Sequence, residues 1–256
     1  MNTMGCKDRI MEKCVSIQEG VRSALELYEI IPAFQWEFIE AGEQDDTDIL
    51  VLDGKRYPLF WWREDAQVSA LINGGISRNT CSIKINRAVK KSYGLQRLMY
   101  REFDIAEQIA RSEINDVACF QKGNSANLIA TMKNGVVACF ELSACLNEET
   151  DDQGRRSLWG TDGMMSDRVV AHKLSGEEIY LFTDEKKEPQ TFTDLFIHMY
   201  GLNKTEVYKA TYITRILMGE INVSNVIETD LRLKKNVEMA IRSAQTEDRV
   251  YIKEME

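Results

Sequence analysis

Glu228-Thr-Asp-Leu-Arg-Leu-Lys-Lys-Asn-Val-Glu-Met-Ala-Ile-Arg-Ser-Ala-Gln-Thr-Glu-Asp-Arg-Val-Tyr-Ile252 is the stretch whose reading decides the fold. An amphipathic helix ends in Ser243-Ala-Gln-Thr-Glu-Asp-Arg249 and runs straight into a short apolar strand, Val250-Tyr-Ile252. Such a strand needs a sheet to join, and the chain ahead of it supplies one. Asn134-Gly135 is the strongest hairpin dipeptide present, because these residues tolerate the positive φ of a tight turn. Ala126 to Met132 leads into that turn, Val136 to Cys145 returns from it, and Val117-Ala-Cys-Phe120 is a further strand before them. Arg155 to Trp159, Met164-Met165, Val169 to Leu174 and Ile179 to Phe182 read as shorter strands, and from Phe192 onward the chain is mostly helical.

Nearer the start, Ser16 with Glu19 three positions later makes a capping box. The helix it opens carries an apolar stripe of Val21, Ala24, Leu25, Leu27 and Tyr28 and is expected to stop at Pro32. Phe34-Gln-Trp-Glu-Phe-Ile-Glu40 alternates as a half-buried strand does. After an acidic turn, Ile49-Leu-Val-Leu52, Asp53-Gly54 and Lys55-Arg-Tyr57 read as a tight hairpin. Residues 63–75 return to helix, Cys81 to Arg87 alternates as a strand, and 95–112 is helical with Leu95, Leu98, Met99, Phe103, Ile105 and Ile109 roughly on one side. This order predicts an α+β fold, a mostly antiparallel sheet with helices on one face.

Composition narrows the functions. With 256 residues, 44% hydrophobic and 29% charged, the chain is an ordinary globular protein. A net charge of −9 argues against nucleic acid as a partner, which calls for a basic face. No apolar run reaches the roughly 18–20 residues of a membrane span, so no membrane partner is expected. The N-terminal residues lack the apolar core of a signal peptide, and the six cysteines show no CxxC pairing, so reduced thiols and a cytoplasmic location are expected. His172 and His198 have no second His or Cys at i+3 or i+4, so neither is expected to bind metal. The acidic run Glu148-Glu-Thr-Asp-Asp152 lacks the grammar of a calcium loop and reads as a solvated hairpin tip.

Several of these segments, in this order, resemble the glucose–fructose oxidoreductase / inositol dehydrogenase (Gfo/Idh/MocA) family. They are Glu12-Lys13 with the helix after it, Leu71-Ile-Asn-Gly74-Gly75, the hairpin Met132-Lys-Asn134-Gly135-Val-Val-Ala-Cys-Phe140, Ser157-Leu-Trp-Gly160-Thr-Asp-Gly163, and the helix–strand ending. The resemblance implies the family's C-terminal α+β domain, divided here as 1–33 (a remnant linking helix region), 34–62 (a β insertion) and 63–256 (the oxidoreductase-like domain). It also implies self-association through the open sheet face, with a small sugar or anionic ligand. The family's dinucleotide-binding domain would precede Glu-Lys-Pro, whereas Glu12 stands close to the first residue and no Gly-x-Gly-x-x-Gly occurs in the sequence. The expectation is therefore no cofactor, with NAD(P) only if that domain is supplied elsewhere.

The resemblance further implies a catalytic Lys working with an Asp and a His one helical turn apart. Lys13 stands at the Lys position, followed by Cys14 where the family has Pro. In Arg97-Leu-Met-Tyr-Arg101-Glu-Phe-Asp104, Arg97 replaces the Asp, Arg101 the His, and Asp104 remains; a one-residue slip would bring Glu102 to the His position. Arginine stays protonated and is no general base. Arg97 and Arg101, spaced i,i+4, could grip an anion or form a solvated stripe. Arg63, after Phe60-Trp61-Trp62, could stack on an aromatic ring. The reading this supports is a non-catalytic, degenerate oxidoreductase-like domain acting in ligand binding or assembly, without dehydrogenase turnover; the alternative is an NAD(P)-dependent sugar or polyol oxidoreductase whose dinucleotide-binding domain is supplied elsewhere.

Overall fold

The computed structural model of the chain describes residues 16–27, 29–32, 35–42, 45–74, 79–167, 179–183, 186–192 and 202–254. Most of the strands belong to one nine-stranded sheet. Its members are β4 (Thr80–Lys90), β5 (Ile114–Lys122), β6 (Ser125–Met132), β7 (Val137–Leu146), β8 (Gln153–Gly160), β9 (Gly163–Ser166), β10 (Ile179–Thr183), β11 (Lys186–Phe192) and β12 (Val250–Tyr251). The order across the sheet is β11-β10-β9-β8-β4-β7-β6-β5-β12. Every neighbouring pair is antiparallel except β4–β7, which run parallel with Ile83 opposite Ala138 and Ile85 opposite Phe140. A parallel pair needs a crossover connection, and helix α3 (Leu95–Ala110) opens it, the chain reaching β7 only after β5 and β6. A smaller sheet, β1 (Trp36–Ile39), β2 (Ile49–Leu52) and β3 (Lys55–Pro58), stands apart, its β2–β3 turn made by Asp53 and Gly54, both at positive φ.

Helices cover one face of the large sheet. Helix α5 (Val223–Thr246) lies on β5, while α3 lies on β4, β6 and β7 and packs against α5 and against α2 (Ala66–Asn73). Period-2 alternation sorts the strands: Ala138, Phe140, Leu142 and Ala144 of β7 are buried, while Cys139 and Ser143 are only partly covered and Glu141 is exposed. The apolar run Val136 to Phe140 thus packs fully on one side only. Phe103 of α3 meets Phe140 edge to face, with centroids 5.2 Å apart. Helices α1 (Ile17–Leu27) and α4 (Lys204–Leu217) pair, and α4 also rests on a 3-10 turn, Trp61–Glu64. The core is continuous, running from Leu50 and Tyr57 of the small sheet through Phe60 and Tyr100 to Val117 and Met239.

Two details depart from the expectations. Helix α1 ends at Leu27, before Pro32, because Ile30 N bonds Leu25 O (2.9 Å) around Glu29 at φ 55, a left-handed turn that closes the helix by itself. Strand β11 carries Lys186, Lys187 and Pro189, poor strand residues that an edge position tolerates. The expected strand Val169 to Leu174 lies outside the described residues. Among the described residues, no helix is long and apolar enough to cross a membrane.

Candidate functional site

Helix α3 fixes the site. Its residues are almost all buried, including four ionisable side chains, Arg101, Glu102, Asp104 and Glu107. Each meets a different part of the molecule. Glu102, fully buried, receives Arg156 of β8 through Nε and Nη2, both at 2.8 Å, and Arg101 Nε at 2.9 Å. Asp104 accepts from Trp62 Nε1 (2.7 Å) and from Arg63 Nε (2.9 Å), and Arg63 lies over the Phe60 ring at 4.5 Å. Glu107 accepts from Ile114 N, Arg232 Nε and Asn236 Nδ2.

Beside Arg101, between α3, the ends of β4 and β8, α2 and the start of α4, a cavity of about 600 Å³ opens. Trp61, Trp62 and Tyr208 give it ring surface, and Arg87, Arg101, Arg156, Asp152 and Asp167 give it charge. Gly154 holds its rim: a Cβ there would fall 2.4 Å from Asn86 O, so only glycine lets β8 close on β4 at this point. Asp167 accepts from Arg156 N (2.6 Å) and stands 3.4 Å from Arg156 Nη1. Burial pushes its carboxyl above the usual carboxylate range, and Arg156 offsets this only in part. Burial lowers the Arg87 guanidinium to about 10, helped by the like charges of Arg156 and Arg101. Asp152 Oδ2 is 3.6 Å from Arg87 Nη2 and 3.9 Å from Arg101 Nη1.

The residues singled out in the sequence are dispersed by this arrangement. Arg101 lines the cavity. Arg97 turns instead toward buried Asp48, 3.8 Å from its Oδ1, next to Lys209, whose Nζ is 3.0 Å from Asp48 Oδ2. The two arginines share only the Tyr93 ring, at 4.7 and 4.9 Å. Asp104 is held by Trp62 and Arg63, and Glu102 is covered by Arg156. Lys13, Cys14, His172 and His198 lie outside the described residues. Among the described residues, no cluster of three or more His, Cys, Asp or Glu is arranged to hold a metal ion. The acidic run is more than a solvated tip, since Asp152 faces two arginines. Arg87 and Arg156 were not singled out, although a signal existed: each sits in phase with the buried residues of its strand, Arg87 with Ile83, Ile85 and Val89, and Arg156 with Leu158.

No protein-family model matches the sequence, and neither does any curated protein. Solved structures do match. An oxidoreductase from Agrobacterium radiobacter in complex with NAD+, L-tartaric acid and magnesium has a TM-score of 0.61 at 13% identity, over 95% of this chain and 72% of that one. Levoglucosan dehydrogenase in complex with NADH and L-sorbose has a TM-score of 0.58 at 13% identity, over 75% of this chain and 64% of that one. An oxidoreductase domain protein from Kribbella flavida has a TM-score of 0.58 at 10% identity, over 75% and 64%. The chain thus spans somewhat under two-thirds of the length of the last two. At such identities the likeness is one of fold. One expectation is corrected by it: a cofactor-free chain was expected, and matched structures of this fold hold NADH or NAD+.

The Glu102 pair has a pH signature. Burial alone would raise the Glu102 carboxyl, but Arg156 and Arg101 outweigh it and bring it from 4.5 down to about 2. A depressed carboxylate contributes stability that is present above its unfolded pKa and lost as pH falls through the folded one. Thermal unfolding should therefore show stability falling from pH 4.5 toward about 2. In Glu102→Gln that fall should be shallower, from a lower starting stability. Parallel curves for the two proteins would show that Glu102 is not held ionised.

Proposed function

The chain has the fold of the Gfo/Idh/MocA oxidoreductases, and we propose that it forms the substrate side of an NAD(P)-dependent oxidoreductase acting on a sugar or polyol. The carrying observation is the cavity: polar, ring-lined, large enough at about 600 Å³ for a monosaccharide, and set against α3. Trp61, which lines it, has a buried indole N–H without an acceptor. The sequence favoured a non-catalytic domain with the oxidoreductase as the alternative, and the neighbours support the alternative better.

The described residues do not fit the nucleotide's pyrophosphate, which seeks free backbone N–H groups at a helix start. The starts of α2, α4 and α5 are already taken by the side chains of Asp65, Asn203 and Asn222, and that of α1 by Ser16. Helix α3, opened by Gly94, follows a 3-10 turn and not a strand end. We therefore derive no step through the nucleotide. What these residues do is bind and orient the substrate, and Asp167, whose carboxyl burial raises above the usual carboxylate range, is the cavity carboxylate suited to take a proton from a substrate hydroxyl and release it.

Incubation with a panel of sugars and polyols should yield NADH or NADPH from the oxidised nucleotide. Asp167→Asn should lower kcat about tenfold or more with substrate affinity largely kept. Absence of turnover, together with calorimetric silence toward NAD+, NADH, NADP+ and NADPH, would contradict the proposal.

The uncovered sheet face supports self-association as part of the same reading. Phe120 (72% exposed) and Ile129 (44%) stand on it, near Ala118 and partly covered Cys139. Exposed apolar clusters of this kind mark contact surfaces. Sedimentation should give a dimer or larger, and Phe120→Asp should shift it toward monomer. A monomeric parent protein at micromolar concentration would refute it.

A further inference from the structure

Arg101 is 5% exposed, yet its Nη2 has no hydrogen-bond partner, and neither does the buried Nε of Arg87. Both side chains line the cavity. Arg101 uses Nε on Glu102 and stands over the Tyr93 ring at 4.9 Å, and its buried Nη2 is left unbonded. Besides Glu102, the carboxylate that faces both arginines is Asp152. At 3.6 and 3.9 Å it lies beyond hydrogen-bond distance from each, and its side chain is 35% exposed at the end of the β7–β8 connection.

The charges around the cavity explain why Asp152 is there. Arg87, Lys90, Arg101, Arg156 and Lys204 are positive; Asp65, Asp151 and Asp167 on the wall and Glu102 beneath it are negative. These leave one positive charge in excess, and Asp152 supplies the balancing negative one without closing a hydrogen bond. An outside carboxylate able to approach both guanidiniums would make the bonds that Asp152 does not.

We propose that the space between Arg87 and Arg101 is a carboxylate subsite, occupied in the free protein by Asp152 as a loose internal substitute, and that the substrate is an acidic sugar derivative of the aldonic or uronic type. This rests on reading the cavity as the substrate site. A single excess charge matches a carboxylate better than a doubly charged phosphate. The burial-lowered Arg87 guanidinium gains a counter-ion when such a ligand binds.

Calorimetric titration of the whole chain, with and without NADH, tests this using D-gluconate, D-glucuronate, D-glucose, sorbitol and D-glucose 6-phosphate. At least one of the two acids should bind tenfold or more tightly than glucose and sorbitol. Asp152→Asn should tighten the acid several-fold, because the internal competitor loses its charge. Arg87→Gln and Arg101→Gln should each erase the preference for the acid over the neutral ligands. Asp152→Asn alters only a half-exposed side chain, so it decides the matter even if an arginine variant fails to fold. Equal binding of acids and neutral sugars, unchanged or weaker acid binding by Asp152→Asn, or preference for the phosphate would overturn the carboxylate subsite and leave the cavity as a substrate site. No binding by any of the five would overturn both.

Discussion

An ionised side chain carried from water into a protein interior costs several kcal/mol unless a partner meets it, and helix α3 carries four such groups inward. Satisfying them ties the fold together. Glu102 requires an arginine from the sheet and receives Arg156 of β8. Asp104 requires donors from the turn before α2 and receives Trp62 and Arg63. Glu107 draws Arg232 and Asn236 from α5 and Ile114 N from β5. Tyr100 adds a bond to Asp230 of α5 at 2.7 Å. Apolar packing such as Phe103 on Phe140 supplies bulk stabilisation, and the ion pairs fix which elements meet α3 and where.

The cavity is a consequence of that arrangement. Three buried or half-buried arginines converge near one end of α3, and Glu102 takes two donors of Arg156, whose third nitrogen faces Asp167, while giving Arg101 a single contact. Arg87 Nε and Arg101 Nη2 are left without a partner beside the cavity, and Asp152 approaches both arginines without bonding. A site whose own groups are incompletely paired is poised for a polar ligand, since binding then completes bonds instead of replacing them.

Much of the fold was legible in the sequence, for reasons that are local. Asn134-Gly135 and Asp53-Gly54 mark turns because few residues accept positive φ, and alternation in 126–145 assigns each residue to a face of the sheet. The parallel β4–β7 pair was not legible, because it joins strands separated by an entire helix and hairpin. Arg97 and Arg101 of α3 were read as an anion grip or a solvated stripe, since a charged helix face is polar unless distant residues cover it. Arg63, Arg156 and Arg232, remote in sequence, do so. Asp152 was taken as a hairpin tip because nothing near it in sequence announces the arginines it faces. Arg87 and Arg156 could have been found by their inward phase alone.

The most direct measurement is a crystal structure of the protein grown with D-gluconate or D-glucuronate. The structure described here predicts the ligand in the cavity beside α3, its carboxylate within hydrogen-bond distance of Arg87 and Arg101, and Asp152 moved away from both. A ligand bound elsewhere on the molecule, or a cavity that admits it with its carboxylate turned away from the arginines, would contradict the site assigned to the incompletely paired charges of α3.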